Sequence, residues 1–595
     1  MCGVVGFNLQ NKDALNLTLK SLHFLEYRGY DSAGVAFLLN NNIKLIKTAG
    51  RVLLLEEMCK NFTQSSLAIG HTRWATHGKP TSINAHPHYS QNIHLVHNGI
   101  IENYQEIKKS LIEDGYNFQS ETDTEVIAHF LHQTLKSTNI HQAISLIFEK
   151  LHGKYAIAFI IQDENEKYIY SLRSTGSPMV IGILPNGNAI ASDFNAIAHQ
   201  TNKYIPLEDY EYAIISNKDF TIFEKSGKKI TKTPIIKNVE ETKIEKGEFE
   251  TFMMKEIHEQ SFVVAKILNS NIEKNKIISQ FPNVNQFDKI SIIACGTSYF
   301  AGCLGKYLIE TYSQISVTVE ISSEFHNRKQ IFSKNTLYIF ASQSGETADT
   351  IAALEYAKKN KTECSKILSI LNVVESTMGQ KSDITLECLS GPEVGVASTK
   401  NFIAQVVIFY LLAIKNSQME EQIISELQKI PSNIASILES QTIENQIHNA
   451  VAQIISANKV VYTGRTFLYP IACEGSLKLS ELSYIPVQSI SSGEFKHGPI
   501  AIVDDQTVVI SLMNTSSLFQ KTLSSNEEIA SRNGIVITIS DDKNSSISIP
   551  QAKDFPQTYP ILSTIIVQLL SYYTAKSLGN DIDKPRNLAK SVTVE

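Results

Sequence analysis

The second half of the chain alternates between apolar runs of strand length, turns rich in Gly and Ser, and amphipathic helical patterns. Three rounds follow one another at KISIIACGTSYFAGCLGKYLIE, TLYIFASQSGETADTIAALEYAKK and KILSILNVVEST. Alternation of this kind is typical of a parallel sheet with helices on both faces. The sequence therefore predicts an α/β architecture from about residue 289 onward.

A comparable unit begins again at KVVYTGRTFLYPIACEGSLKLSEL. The segment ISSEFHNRKQIFSKNTLYIFASQS of the first unit aligns with ISSGEFKHGPIAIVDDQTVVISLMNTS of the second, and each begins about 25 residues after its Gly turn. Self-similarity of this kind indicates an internal duplication. We expect two α/β domains of one kind, at 285–425 and 450–585, each with a parallel sheet.

The first part of the chain has a different pattern. Short apolar runs such as HLVHNGII, YAIAFII, YIYSL and MVIGIL are separated by turn residues, which predicts strands with a few helices and an α+β domain over 2–220. Lys and Glu dominate 223–250, so we assign 221–284 to a connection, with a helix at MMKEIHEQSFVVAKIL. Residues 586–595 form a C-terminal tail.

Composition limits the function classes. The formal net charge of -6 argues against nucleic acid as a dominant partner. Seven cysteines without a CxxC pair suit a reducing cytosol better than a disulfide framework or a structural zinc site. The most apolar stretch, 402–414, is shorter than the ~20 residues of a membrane span, and no signal peptide is visible. We expect a cytoplasmic protein without a membrane segment.

Cys2 directly follows the initiator methionine. Removal of Met1, which a small second residue generally permits, would leave a thiol and a free α-amino group on one residue. The α-amino group titrates near pH ~7.7–8.0, so it can act as the base that activates the thiol. An inert N-terminal thiol is the alternative.

Five ordered motifs shift the balance toward a catalytic thiol: EYRGYDSAG, HTRWATHG, NAHPH, HNGIIEN and ETDTE. Together they closely resemble class II glutamine amidotransferases of the N-terminal nucleophile type. The resemblance implies that Cys2 attacks the glutamine side-chain amide, forming a γ-glutamyl thioester and releasing ammonia. It assigns the Asn98 side chain and the Gly99 backbone N–H to the oxyanion hole. It assigns Arg73 to the glutamine α-carboxylate and Asp123 to the α-ammonium.

Other residues around these motifs complete the predicted glutamine site. Trp74, the only tryptophan, matches a residue that gates an ammonia passage in that family, and a simple core role is the alternative. Six histidines lie between residues 71 and 97, but their spacing fits no zinc pattern, so we predict no metal. We interpret His71, His77, His86 and His97 mainly as hydrogen-bonding supports. The predicted substrate contacts of this region are Arg73, Trp74, Thr76, His77, His86 and Asp123.

Two turns of the duplicated half offer hydroxyls and backbone N–H groups at the start of a helix, where an anion is favoured. These turns, CGTS and SQSGET, resemble the phosphate loops of sugar isomerase (SIS) domains, although such turns are more often simple N-caps. The resemblance implies a phosphosugar ligand, over which the GVASTK segment closes. The implied ligand residues are Ser298, Ser342, Gln343, Ser344, Thr347, Val396 and Ser398.

From end to end, including the tail PRNLAKSVTVE, the chain resembles the family of isomerising glutamine:fructose-6-phosphate aminotransferases. The resemblance implies L-glutamine and fructose 6-phosphate as substrates, glucosamine 6-phosphate and glutamate as products, no cofactor, and a homodimer. It assigns His497 to ring opening and Lys590 to a Schiff base with the open ketose. Glu481 would move a proton between C1 and C2, and Lys478 would stabilise the enolate charge.

Two departures from the family pattern are Ser480, where lysine can stand, and His326, where arginine can stand. Two other functions stay open at this point. One is a glutaminase that aminates a different phosphosugar acceptor, which the duplicated half and Lys590 oppose. The other is a glutaminase joined to a sugar-phosphate sensor without catalysis. The joint presence of His497, Glu481 and Lys590 opposes the sensor, because binding phosphate requires none of them.

Overall fold

The computed structural model describes residues 2–26, 29–62, 64–74, 77–162, 167–175, 177–236, 245–278, 280–554 and 556–592. The chain divides into two compact units. The first is Met1–Lys243 with Ser591–Glu595, and the second is Ile244–Lys590.

The N-terminal unit is built mainly from strands. Its described strands are β1 (Gly3–Leu9), β2 (Ser32–Leu39), β3 (Asn42–Ala49), β4 (Leu67–Arg73), β5 (His88–Ser90), β6 (Ile93–Gly99), β7 (Tyr155–Ile161), β8 (Ile169–Arg173), β9 (Val180–Leu184), β10 (Gly187–Ala191), β11 (Lys203–Pro206), β12 (Glu211–Ile215), β13 (Phe220–Glu224), β14 (Lys229–Ile230) and β15 (Ile235–Ile236). Its described helices are α1 (Ala14–Leu25), α2 (Val52–Cys59), α3 (Tyr104–Glu113), α4 (Thr124–Leu135) and α5 (Ile140–Lys150).

These strands form two antiparallel sheets, ordered β15-β11-β9-β10-β1-β4-β2-β3 and β14-β13-β12-β8-β7-β6-β5 within the described residues. Neighbouring side chains on a strand point to opposite faces. Val4 therefore joins the apolar layer between the two sheets, whereas Val5 packs in the layer with α1 and α2. The outer face of the second sheet is covered by α4 and α5, where Ile127 and Ile157 share a cluster. The resulting four layers, helix–sheet–sheet–helix, confirm the predicted α+β fold.

The C-terminal unit contains the predicted α/β elements. Its described strands are β16 (Ile272–Glu273), β17 (Lys276–Ile277), β18 (Lys289–Ala294), β19 (Val317–Ile321), β20 (Thr336–Ser342), β21 (Lys366–Leu371), β22 (Ile384–Glu387), β23 (Lys459–Gly464), β24 (Val487–Ser491), β25 (Thr507–Leu512), β26 (Ile535–Ser540) and β27 (Ile547–Ser548). Its described helices are α6 (Phe252–Asn271), α7 (Gly296–Tyr312), α8 (Ser322–His326), α9 (Ala348–Asn360), α10 (Thr377–Lys381), α11 (Lys400–Ile414), α12 (Glu420–Leu427), α13 (Ile430–Leu438), α14 (Gln441–Ser456), α15 (Leu468–Ser483), α16 (Phe519–Ala530) and α17 (Tyr559–Ser577).

Two five-stranded sheets repeat one topology. Their orders are β19-β18-β20-β21-β22 and β24-β23-β25-β26-β27, so the second strand of each set lies outside the first. Neighbouring strands of both sheets are parallel. This shared order confirms the predicted pair of parallel-sheet domains and their duplication.

A single large apolar core joins the two sheets through α6, α11 and α17. The apolar stretch 402–414 lies in α11, whose residues are all buried. Among the described residues, no helix combines the length and apolar character that crossing a membrane requires.

The stretch between residues 221 and 236 contains more structure than its Lys- and Glu-rich sequence indicates. β13 and β14 extend the second sheet, and β15 pairs with β11 in the first. Short strands at sheet edges carry charged residues without a strong alternating pattern. We propose that the N-terminal domain continues to residue 236 and that the connection to α6 begins after it.

Candidate active sites

Cys2 lies immediately before β1. It contacts Trp74, the residue that follows β4. The Trp74 backbone N–H donates to the Cys2 Sγ at 3.4 Å, and the thiol contacts the Trp74 carbonyl oxygen at 3.7 Å. Burial raises the pKa of the Cys2 thiol above its ordinary value. The sulfur is therefore protonated near neutral pH, and an attacking thiolate requires a base at the moment of reaction.

A small cavity surrounds the Cys2 thiol. Of the residues predicted for glutamine binding and catalysis, it is lined by Cys2, Arg73, Trp74, His86, Gly99 and Asp123. Arg73 and Asp123 place opposite charges on the wall of one cavity. That arrangement complements an amino acid zwitterion, whose carboxylate and ammonium need opposite partners. His77 and Asn98 do not line this cavity, and Thr76 lies outside the described residues.

Arg73 and Asp123 also organise nearby backbone. The Arg73 guanidinium donates to the carbonyl oxygens of His77, Gly78 and Lys79, at 3.0 Å for Gly78 and 3.3 Å for Lys79. Asp123 Oδ2 accepts from the Ile101 N–H at 2.8 Å, just beyond the end of β6. The two charges are thus held in fixed positions before a ligand enters.

The end of β6 carries the predicted oxyanion hole. Asn98 is fully buried, and neither its amide nitrogen nor its amide oxygen has a hydrogen-bond partner within the described residues. Gly99 has φ +140°, and a Cβ there would lie 2.1 Å from the Lys154 carbonyl oxygen. Only glycine fits this position. A buried amide without a partner among the described residues therefore lies one residue from Gly99, which lines the cavity, and such an unsatisfied group calls for a functional explanation.

Buried histidines pack together at the cavity, which His86 and His97 help to line. His71 Nε2 is 2.9 Å from the His97 carbonyl oxygen, and the His71 and His86 rings stack at 4.0 Å. Burial lowers the pKa of both rings well below the ordinary value, so they are neutral at physiological pH. His97 Nδ1 lies 3.0 Å from Thr124 Oγ1, and the His77 ring packs against Tyr104. Among the described residues, no three His, Cys, Asp or Glu side chains are grouped to hold a metal.

Glu125 is a supporting residue that the sequence analysis did not single out. Its carboxylate accepts from the backbone N–H groups of Gln119 at 2.9 Å and Ser120 at 2.7 Å. Burial raises its pKa, but these bonds, the bond from the Ser120 hydroxyl and the His129 ring 3.6 Å away outweigh burial and bring the pKa to about 2. The carboxylate fixes the turn that leads to Asp123. The feature of the sequence that points to Glu125 is its place as the last residue of the ETDTE motif.

The predicted phosphate loops meet in the C-terminal unit. CGTS follows β18 and SQSGET follows β20, and these two strands are adjacent and parallel. The chain leaves β18 toward β19 on one side of this pair of strands and leaves β20 toward β21 on the other side. In open α/β sheets, ligands bind at such a switch point, beyond the carboxyl ends of the strands. Ser298, Ser342, Gln343, Ser344 and Thr347 therefore lie at the same edge of the sheet, near the N-termini of α7 and α9.

The SQSGET turn is ordered by its own hydroxyls. Ser342 Oγ accepts from the Gly345 N–H at 3.1 Å and lies 3.0 Å from Thr347 Oγ1. Gly345 has φ +66°, and a Cβ there would lie 1.9 Å from Ser376 Oγ. The loop is therefore held in one conformation at the start of α9, where helix geometry favours an anion.

Lys590 lies beside the other predicted sugar contacts. Its amine forms an ion pair with Glu393 and donates to the Gly395 carbonyl oxygen at 2.8 Å. The Ser398 hydroxyl donates to the same Glu393 carboxylate at 3.0 Å. Val396 follows Gly395 in the same loop, so the structure brings Lys590, Val396 and Ser398 together. Glu393 was missed by sequence reasoning, because an acid between small residues carries no spacing signal.

A second charged cluster lies on α15. Lys478 Nζ is 2.5 Å from Glu481 Oε2 and 3.6 Å from Glu474 Oε1. Spacing alone would favour a solvated surface pair, but Lys478 and Glu474 are buried. Burial raises the pKa of Glu474 to about 8, because Lys478 alone cannot offset two carboxylates. The Thr297 hydroxyl of the CGTS turn donates to Glu474 at 3.3 Å, which links this cluster to the first phosphate loop.

The two clusters share one electrostatic environment. Burial lowers the pKa of Lys478, but Glu474, Glu481 and Glu393 raise it above its ordinary value. The Glu393 carboxylate that holds Lys590 therefore also acts on the lysine beside Glu481. Lys478 thus pairs with Glu481 and also lies within the electrostatic influence of the carboxylate that pairs with Lys590.

His497 stands apart from these residues. It follows β24, and its side chain is exposed. The two departures from the family pattern lie elsewhere: Ser480 is half-buried on α15, and His326 ends α8, where its Nδ1 is 2.9 Å from the Ser322 carbonyl oxygen.

The fold and the sites define the class of protein: a glutamine amidotransferase joined to a pair of sugar isomerase domains. Comparison with family models agrees with this class. The glutamine amidotransferase domain model matches residues 71–199, and the SIS domain model matches residues 284–415 and 453–576.

Comparison with whole proteins is more specific. The chain is 41% identical to a glutamine–fructose-6-phosphate aminotransferase (isomerizing) from Caldanaerobacter subterraneus and 39% identical to one from Clostridium tetani, with 100% of each chain covered. A solved C-terminal domain of glucosamine-fructose-6-phosphate aminotransferase from Francisella tularensis is 32% identical, with a TM-score of 0.52. It covers 57% of this chain and 100% of that one. The chain belongs to the family of isomerizing glutamine–fructose-6-phosphate aminotransferases.

Proposed function

We propose that this chain converts fructose 6-phosphate and L-glutamine into glucosamine 6-phosphate and L-glutamate. The observation that carries the proposal is the position of Lys590. A lysine that only balanced surface charge would be solvated, but the Lys590 side chain is buried against Glu393 next to the loop of Val396 and Ser398. Its charge partner acts on Lys478, which pairs with Glu481. Amine, carboxylate and phosphate loop are the groups that amination of a ketose phosphate needs.

In the glutamine site, the free α-amino group of Cys2 takes the proton of the thiol as the sulfur attacks the glutamine side-chain carbonyl. The Asn98 amide and the Gly99 N–H receive the charge of the resulting oxyanion. Ammonia leaves with a proton as the thioester forms. Water then cleaves the thioester and releases glutamate. Arg73 and Asp123 hold the α-carboxylate and α-ammonium throughout.

In the sugar site, His497 assists ring opening, and the Lys590 amine adds to the C2 carbonyl with loss of water. Ammonia then displaces Lys590 and leaves an imine at C2. Glu481 removes a proton from C1 and returns a proton to C2, and Lys478 stabilises the negative charge that develops between these steps. Ser342, Gln343, Ser344 and Thr347 hold the phosphate, with Ser298 on the neighbouring turn.

Ammonia in bulk water would be protonated and lost, so we include a shielded passage between the two sites, gated by Trp74. The protein acts as a homodimer in the cytoplasm. Exposure of His497 beyond β24 suits a residue that completes the sugar site of a second subunit. No metal or organic cofactor takes part in this scheme.

The decisive experiment incubates the purified protein with glutamine and fructose 6-phosphate, separately and together, and identifies the amino sugar by mass. Only the combined incubation should yield glucosamine 6-phosphate. Lys590→Ala should spare the hydrolysis of glutamine and abolish amination of the sugar. An amino sugar formed at the wild-type rate by Lys590→Ala would contradict the proposal.

A further inference from the structure

Helix α6 directs one carboxylate, Glu256, into the C-terminal unit, and the mechanism above gives it no role. Glu256 is 2% exposed. Its Oε1 accepts from the backbone N–H of Val394 at 2.5 Å and from that of Gly395 at 3.1 Å. A Cβ on Gly395 would lie 2.8 Å from Oε2, so the carboxylate fits closely against the loop backbone.

The loop that Glu256 holds is the loop that holds Lys590. The Gly395 carbonyl oxygen accepts from Lys590 Nζ at 2.8 Å, and Glu393 forms the ion pair with the same amine. Glu256 thus binds the N–H side of this backbone, and Lys590 binds the carbonyl side. A shift of Val394 or Gly395 would move both groups that fix the Lys590 amine.

The start of α6 fixes the chain that leads to Lys590 from another direction. The Asp583 carboxylate accepts from the N–H groups of Phe252 and Met253, each at 2.9 Å. The Asp583 carbonyl oxygen accepts from the Val396 N–H at 3.0 Å. The helix, the loop and the tail segment therefore meet in one hydrogen-bonded junction, and Glu256 occupies its buried side.

Packing alone does not explain a carboxylate at this position. Burial and the Glu393 carboxylate raise the pKa of Glu256 to about 7, so the ionised form of this side chain is energetically unfavourable at its buried position. Its Oε2 has no hydrogen-bond partner among the residues described. An apolar side chain would avoid this cost but would leave the N–H groups of Val394 and Gly395 unpaired. A glutamate therefore suits this position because its carboxylate accepts hydrogen bonds from both loop N–H groups.

We propose that Glu256 is a positioning residue for Lys590, acting through the 393–396 loop to set the amine for attack on the sugar carbonyl. The inference rests on the proposed function, since it needs Lys590 to form a covalent adduct. In that step the amine nitrogen bonds to C2, and the carbonyl oxygen leaves as water. Sodium borohydride adds hydride to the carbon of the resulting C=N bond and makes the adduct permanent.

The test measures this adduct in the full-length protein. Wild type and variants are incubated with saturating fructose 6-phosphate without glutamine and treated with borohydride, and the modified Lys590 peptide is quantified by mass spectrometry. Glu256→Met fills the space without an acceptor, and Glu256→Asp withdraws the acceptor by one methylene. Both should lower the trapped fraction at least about tenfold, because small displacements of a reacting group have large rate costs. Glu256→Gln keeps an oxygen acceptor and should stay within about threefold of wild type.

Glu259→Gln is the matched control. Glu259 lies on the same helix and pairs with Lys400 at 2.6 Å. Within the described part of the chain it forms no hydrogen bond or ion pair with residues 393–396, so its variant should trap like wild type. A purely structural role for Glu256 would lower the melting temperature of both test variants and leave trapping at saturating sugar unchanged. That result would overturn the inference. A wild-type protein that forms neither adduct nor amino sugar would overturn the proposed function itself, whereas amino sugar without an adduct would remove the covalent role of Lys590.

Discussion

The Lys590 amine and the Glu393 carboxylate form an ion pair in which the lysine side chain is 4% exposed and the glutamate side chain 0%. The carboxylate also accepts from the Thr399 N–H at 2.9 Å and the Asn401 N–H at 3.1 Å. Among the described partners of this carboxylate, Lys590 is the charged one, and the others are neutral donors. The pair therefore joins the C-terminal tail to the loop before α11.

Removal of Lys590 should affect stability as well as chemistry. Lys590→Met leaves the Glu393 charge buried without its partner, which typically costs about 3–5 kcal/mol. The melting temperature of the full chain should fall by several degrees. Adding Glu393→Gln should restore most of that stability, but the double variant should still fail to aminate the sugar. Calorimetry together with the amination assay measures both effects.

Lys576→Met provides the control for this comparison. Lys576 pairs with Glu250 at 2.5 Å, but both side chains are about half exposed or more, and pairs of this kind contribute about 0–1 kcal/mol. Equal melting temperatures for Lys590→Met and Lys576→Met would show that the buried pair does not tie down the tail.

Asn98 allows a test of the oxyanion hole that is separate from stability. Its amide has no partner within the described residues, so Asn98→Ala removes no existing hydrogen bond there. Loss of one oxyanion donor typically lowers kcat by about 10²–10³. We expect glutamine hydrolysis to fall by that factor, while amination of the sugar with added ammonium salt is retained. Glutaminase activity within threefold of wild type would exclude Asn98 from the oxyanion hole.

Periodicity and repetition predicted the fold well. The three strand–turn–helix rounds of the second half and their restart at residue 459 correspond to β18, β20, β21 and β23, and the duplication corresponds to two sheets of identical order. The short strands β14 and β15 were not predictable, because a two-residue strand has no period to detect.

In the candidate sites, only residues that belong to a recognisable sequence motif could be predicted. Glu256, Glu393 and Glu474 are buried acids around two lysines, and nothing in their local sequence separates them from solvated helix or loop acids. Their burial depends on α6, α15 and the 393–396 loop coming together in the folded unit. Residues that act through such contacts become visible only in the structure.

The duplicated domains differ at the turn after the third strand. In the second domain, Thr515 donates from its N–H and its hydroxyl to the Asp541 carboxylate, at 2.7 and 2.6 Å. An acid at this place opposes the binding of a phosphate. The corresponding SQSGET turn of the first domain is ordered by serine and threonine hydroxyls, and its own acid, Glu346, is engaged with the Thr377 N–H at 2.7 Å. This difference favours a single phosphate site in the first domain.

Ser344 and the exposed Ser516 provide a matched pair for testing that difference. Hydrogen bonds to charged groups contribute about 1.5–3 kcal/mol, so Ser344→Ala should raise KM for fructose 6-phosphate by roughly 10- to 100-fold. KM for glutamine should not change. Ser516→Ala, in the turn of the second domain, should leave both constants at wild-type values. If Ser516→Ala raised KM for fructose 6-phosphate more than Ser344→Ala did, the phosphate would bind in the second domain, and the prediction would be wrong.

Glu474 makes the stability of the C-terminal unit depend on pH. Its pKa is raised to about 8 by burial, whereas an unfolded glutamate titrates near pH 4.5. The folded state therefore binds a proton that the unfolded state has lost, and the stability associated with this proton is complete below about pH 4.5 and is lost as the pH rises through about 8. A shift of this size corresponds to up to about 5 kcal/mol.

Glu474→Gln replaces the acid with a neutral group of the same shape and removes this dependence. Its melting temperature should match that of wild type near pH 5 and should exceed it by a margin that grows up to about pH 8. Glu363→Gln, at an exposed turn, should show no such trend. If the difference between Glu474→Gln and wild type is constant across pH 5–8, or reverses sign, Glu474 is ionised in the folded protein, and Lys478 balances both carboxylates of α15.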